Sequence, residues 1–188
     1  MTPARKPASA TAAPASPAKI ERVLAIDSAL RHTGWAIVEK TATRELRAIA
    51  YGVITNPPKL LPSGCLVAIR EQLSDVIRQH GPTVCAIEAT IFVQSLKTAI
   101  ALGTARGAAL IAAAEHGLAI YEYAPREVKQ AAVGRGAAQK DQVAFMIRSL
   151  LRLKETPAAD AADALAVAIA HFQSSDAHFV MTREAKRI

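Results

Sequence analysis

A chain of 188 residues, 51% of them hydrophobic, has apolar material for one compact domain flanked by tails. Four Phe, three Tyr and one Trp are too few for a broad base-stacking platform, and two cysteines without paired spacing argue against a disulfide framework or a zinc site. The net charge of +7 and pI near 9.7 suit a polyanionic partner, but Arg5, Lys6 and Lys19 at one end and Arg183, Lys186 and Arg187 at the other carry most of the excess, leaving the body near +2.

Residues 1–20 are rich in Pro, Ala, Ser and Thr and read as a disordered basic tail. No secretory h-region is present, and the prolines argue against an amphipathic organellar targeting helix, so a reducing cytosol is the expected compartment. The body, 21–174, opens with three strand patterns, 22–27, 34–40 and 45–54, joined by links short enough for an antiparallel meander. A helix follows, with Leu66, Ile69, Leu73, Val76 and Ile77 at helical spacing and Gly81 as its stop. Then come a buried-type strand at 83–89, an Ala-rich helix at 97–117 and a fifth strand at 118–124. Helical patterns at 126–133, 138–152 and 158–173 complete the body, and 175–188 reads as a basic tail. The apolar stretch 98–114 contains Arg106 and many small residues and reads as a buried helix, not a membrane span. The expected fold is α/β, a mixed five-stranded sheet with helices on both faces.

Acids stand where burial makes them costly. Asp27 ends the first strand, Glu88 ends the fourth, and Asp160 and Asp163 open the last helix at i,i+3 on one face. Each has an ordinary explanation taken singly: a turn cap for Asp27, a solvent-reaching strand end for Glu88, a first-turn acid favoured by the helix dipole for Asp160. Together they mean more. If the first and fourth strands are neighbours and the helix start faces their ends, four carboxylates converge and require a cation. All-oxygen donors select Mg²⁺ or Mn²⁺, and two such ions serve in-line phosphodiester displacement.

The ordered segments "VLAIDSALRHTGWAIVE", "AIEATIF", "ALGTARGAALIAAA", "YEYAPREVKQAAVGRGAAQKDQV" and "PAADAADALAVAIAH" resemble the RuvC family of Holliday-junction resolvases, within the RNase H-like nuclease superfamily, over residues 22–172. The resemblance implies an RNase H-like domain acting as a homodimer. With a divalent metal it would nick two strands of a four-way DNA junction symmetrically, leaving a 5′-phosphate and a ligatable 3′-hydroxyl, in recombination and repair. It also implies partnership with the RuvA–RuvB branch-migration machinery, in the bacterial cytoplasm at the nucleoid. By position, the catalytic and metal-holding acids are Asp27, Glu88, Asp160 and Asp163, and Lys129 and Lys140 match lysines near the DNA backbone. Arg106, Arg126 and Arg135 lie in the same segments and suit phosphate contact, although any one of them also fits a solvated surface charge. Gly103 and Gly107 lie in the helix where the resemblance puts the dimer contact.

Two departures stand out. Ser28-Ala29-Leu30 replaces the family's Pro-Gly-Ser after the first Asp, and losing that glycine restricts the turn. Ile91 occupies the position where family members often carry a junction-wedging Phe, with Phe92 beside it. His171 reads as a helix-end residue. Three other readings compete: a related nuclease acting on another branched or hybrid nucleic acid, an actin-like or sugar-kinase-type ATPase lobe suggested by "DSALRHTG", and a catalytically dead DNA-binding module. The ATPase needs a second lobe and a second phosphate loop, and the presence of all four acids argues against the dead module, since without metal they repel DNA.

Overall fold

The computed structural model describes residues 20–90, 95–134, 140–175 and 186–188. The elements in chain order are β1 (Glu21–Asp27), β2 (His32–Lys40), β3 (Leu46–Thr55), α1 (Pro62–His80), β4 (Val84–Glu88), α2 (Leu96–Glu115), β5 (Ala119–Tyr123), α3 (Pro125–Val133), α4 (Lys140–Leu150), α5 (Ala159–Ser175) and β6 (Lys186–Arg187). They form one sheet in the order β3-β2-β1-β4-β5-β6. The short links make β1, β2 and β3 an antiparallel meander, whereas α1 and α2 are crossovers that bring β4 and β5 in parallel to β1.

Among the described residues the sheet has six strands where the sequence predicts five. The sixth is Lys186–Arg187, antiparallel to β5, inside the stretch read as a tail. Two residues carry no periodicity, so only the pairing itself reveals the strand.

β1 is the centre of the molecule. Val23, Leu24, Ala25 and Ile26 are all fully buried, because both faces of the sheet are covered. Leu24, Ile26, Ile37, Cys85 and Ile87 pack with Ile69 and Leu73 of α1 and Ala105, Ala109 and Ala112 of α2. Val23, Ala25, Val84 and Ala86 face the other way, onto Leu165, Ala168, Ile169 and Phe172 of α5 and Val128 of α3. Strand alternation therefore assigns odd positions of β1 and even positions of β4 to the α5 face.

The helix ends follow local chemistry. Ser95 accepts a hydrogen bond from the Thr98 amide at the start of α2, and Gly81 closes α1 in the left-handed conformation, φ 57°. α2, read from sequence as a buried helix, is buried along one side only. Its small residues lie against the sheet, while Leu96, Ile100 and Ile111 are exposed. By length and composition alone it is apolar enough to cross a membrane, the one such helix among the described residues.

Cys85 is fully buried in the core under α1 and α2, and burial pushes its thiol up to about 12, with the Arg106 charge pulling the other way. The folded chain then holds a proton that the unfolded chain releases near 9.0. Stability from this group is complete below the unfolded value and falls as pH rises from there toward 12. At about pH 10.5 the loss should be on the order of 2 kcal/mol. Urea unfolding across this range should show the decline, and Cys85→Ala should flatten it; an equally steep decline in Cys85→Ala would assign it to other groups.

Candidate active site

Asp27 and Glu88 are the last residues of β1 and β4. The parallel register pairs Ile26 with Ile87, so the two acids leave the sheet at the same level from adjacent strands. Alternation sends both side chains to the α5 face, continuing Val23 and Ala25 on one strand and Val84 and Ala86 on the other.

On its other side Asp27 pairs with Gly34 of β2. A Cβ built on Gly34 would collide with the backbone carbonyl of Asp160 in the first turn of α5. The bare glycine is what lets that turn settle onto the sheet beside Asp27. Asp163 follows one helical turn later, on the same side of α5. All four acids are half-buried. An open cleft of about 450 Å³ begins at Asp27 and Glu88 and is walled by Thr90, Leu102 of α2 and Arg126 of α3.

The adjacency of β1 and β4 and the approach of α5, both assumed from sequence, are thus present. Four carboxylates supply only hard oxygen donors, which fits Mg²⁺ or Mn²⁺ and disfavours softer ions. Among the described residues no three His, Cys, Asp or Glu side chains are gathered into a ready cation cage. The convergence lies in the backbone placement.

The turn after Asp27 answers the missing glycine. Among the described residues only Arg44 and Arg152 are non-glycine residues with positive φ, so Ser28-Ala29-Leu30 turns without a left-handed residue. Side chains hold it instead. Buried Thr33 donates to the Ala29 carbonyl at 2.6 Å, and buried Asn56 donates its side-chain amide to the Leu30 carbonyl at 2.8 Å and its backbone amide to the Arg31 carbonyl at 2.8 Å. Arg31 in turn donates to the carbonyls of Pro57 (2.6 Å) and Leu60 (3.0 Å). Nothing in the sequence singles these residues out, beyond their being polar side chains at the borders of apolar strands.

The basic residues separate into groups. Arg126 and Lys129 are exposed and share one side of α3, with Arg126 at the cleft. Lys140 is the first residue of α4. Arg135, Ile91 and Phe92 lie outside the described residues. Arg106 is turned inward: its Nη1 donates to the Glu88 backbone carbonyl at 2.7 Å and its Nη2 to Glu122 Oε1 at 2.6 Å.

His171 lies toward the C-terminal end of α5. It is buried, shares a 2.8 Å hydrogen bond with the Tyr123 hydroxyl, and stands 3.4 Å from Glu21 at the opposite end of β1 from Asp27. Burial pushes the Tyr123 phenol up to about 12. This cluster stitches α5 to the sheet, far from the acids.

A family model described as crossover junction endodeoxyribonuclease RuvC matches residues 23–171. The chain belongs to the RuvC family. A relative from Akkermansia muciniphila, named crossover junction endodeoxyribonuclease RuvC, is 53% identical over 155 residues, spanning 82% of this chain and 92% of that protein. One of the same name from Bradyrhizobium diazoefficiens is 43% identical over 80% of this chain and 85% of its own length. The structure of Thermus thermophilus RuvC in complex with Holliday junction substrate superposes with a TM-score of 0.80 at 33% identity, covering 89% of this chain and 99% of that one. The fold is accordingly RNase H-like, with the RuvC family's arrangement of strands and helices, and the ATPase-lobe reading is set aside.

Gly34→Ala should be tolerated only if α5 retreats. We expect a loss of stability of about 1–3 kcal/mol by urea unfolding, as for other overpacked sites, with cutting activity falling further than stability accounts for. A fully active, fully stable Gly34→Ala protein would show that α5 does not need the bare glycine.

Proposed function

We propose that this protein is a structure-selective DNA endonuclease that resolves four-way junctions by symmetric nicking of two strands. The observation that carries the reading is the meeting of Asp27 and Glu88 at adjacent strand ends with the Asp160 turn of α5 seated on Gly34. The crossover-junction name of the relatives and the junction bound to the Thermus thermophilus protein support the choice of substrate.

Asp27, Glu88, Asp160 and Asp163 would hold Mg²⁺, or Mn²⁺ in its place, and two bound ions would stabilise the attacking and leaving oxygens of the scissile phosphate. The chain's own part is to fix those carboxylates on a rigid sheet end and to offset their repulsion of DNA. Arg126 at the cleft and Lys129 one helical turn on, both exposed, suit that second task, and Lys140 and Arg135 join them by sequence position. Such contacts are sequence-independent and weaken with salt. By sequence position Ile91 and Phe92, three and four residues beyond Glu88, would serve as the wedge against junction bases.

Symmetric cutting calls for two copies. Leu96, Ile100, Gly103, Gly107 and Ile111 recur along one side of α2, the large ones exposed and the two glycines with open space above them. Small residues between exposed apolar ones allow a second α2 to approach closely, which supports a homodimer. Family membership supports action alongside the RuvA–RuvB machinery in the bacterial cytoplasm.

A synthetic four-way junction, a linear duplex and an RNA–DNA hybrid, each with and without Mg²⁺, test this. Paired nicks confined to the junction and dependent on Mg²⁺ are expected. Asp27→Asn and Asp160→Asn should each slow cutting by on the order of a hundredfold or more, about 3 kcal/mol of transition-state stabilisation. Preference for the hybrid, or undiminished cutting by either variant, would contradict the substrate or the site respectively.

A further inference from the structure

Arg106 is a cation beneath the catalytic edge that does not face solvent. Its side chain is 13% exposed, next in sequence to fully buried Ala105 on the sheet-facing side of α2. The planar guanidinium bridges two acceptors on different strands: the Glu88 carbonyl at the end of β4 and the Glu122 carboxylate of β5. Glu122 also has Lys186 of β6 at 3.9 Å. On the β5 side the end of β4 is tied again, since the Ala89 amide donates to the Tyr123 carbonyl at 2.8 Å.

The geometry has a direction. Arg106 comes from α2 on one face of the sheet, while alternation sends the Glu88 side chain to the α5 face. A charge-assisted bond to the Glu88 carbonyl fixes the peptide plane from which the catalytic carboxylate projects. The bond is specific to a fork: a Lys ammonium on the same stem lacks the planar, paired donors that serve carbonyl and carboxylate together. Glu122 keeps the half-buried cation neutralised and aimed.

We propose that Arg106 is a positioning residue: through the Glu88 backbone carbonyl, and oriented by Glu122, it sets the catalytic carboxylate of Glu88, and it does not serve as a phosphate contact. The proposal rests on the reading of Glu88 as a strand-cutting acid. The two roles differ in what they move. A cation on a phosphate contributes to junction affinity and to its salt dependence, and removing it makes the salt slope shallower by about 1. A positioning residue changes the rate at saturating junction, where small misplacements are costly.

The test uses the full chain and its Arg106→Met, Arg106→Lys and Glu122→Gln variants. Junction affinity is measured without divalent metal over a range of salt, and single-turnover cutting is measured at saturating junction with Mg²⁺. Arg106→Met should bind the junction with unchanged affinity and salt slope but cut roughly tenfold to a hundredfold more slowly. Arg106→Lys should fall between it and the wild type, and Glu122→Gln should slow cutting in the same sense. If Arg106→Met fails to fold, the Lys and Gln variants carry the same comparison. Weaker binding with a shallower salt slope and an unaltered saturated rate would overturn the proposal in favour of phosphate contact. Wild-type rates in all folded variants would overturn it as well, with the wild type still cutting junctions. A wild-type protein that leaves junctions intact would instead overturn the nuclease reading beneath it.

Discussion

At Gly34 a helix backbone occupies space that any side chain would claim, so the Asp160 turn of α5 lies directly on the strand that pairs with Asp27. The gathering of the four acids at one sheet end depends on that approach. β1 and β4 bring two acids to one sheet end by register alone, but the acids of α5 arrive only because a glycine stands below and because α5 is built from alanine. Small side chains let the helix cross the sheet closely while Leu165, Ile169 and Phe172 fill the space behind. At the far end of the same helix, His171, Tyr123 and Glu21 lock it in polar contacts, so α5 is held at both ends.

The sheet end that carries Asp27 and Glu88 is also held from below and beside. Thr33, Asn56 and Arg31 shape the turn after Asp27 through side-chain hydrogen bonds, which lets residues of ordinary backbone conformation replace a glycine. Arg106 and Glu122 hold the end of β4 from the α2 face. α2 thus has two roles set by helical geometry, with Ala105, Ala109 and Ala112 on the sheet and Leu96, Ile100 and Ile111 facing outward.

Much of this is legible in the sequence, for physical reasons. Short apolar runs ending in Asp27 and Glu88 announce buried strands with a costly acid at the tip, and two acids at i,i+3 before an Ala-rich run announce a helix start facing something. The RuvC resemblance then orders these pieces. What stays hidden is whatever depends on a single long-range contact. Gly34 looks like any strand glycine until Asp160 sits on it. Arg106 looks like a surface cation because nothing local says that Glu122, sixteen residues on, will accept from it. β6 is two residues long and is defined wholly by its partner. The expected five strands are therefore one short at the edge, where pairing and not pattern makes the strand.

Asp27, Glu88 and the acids of α5 should form one cation site across the sheet end. Crystals grown with Mn²⁺ test this through anomalous scattering at the manganese edge. Manganese density is expected at the ends of β1 and β4, contacted by the Asp27 carboxylate and by at least one of Asp160 and Asp163. Density confined to other acids, or none at this edge at saturating Mn²⁺, would contradict a shared site.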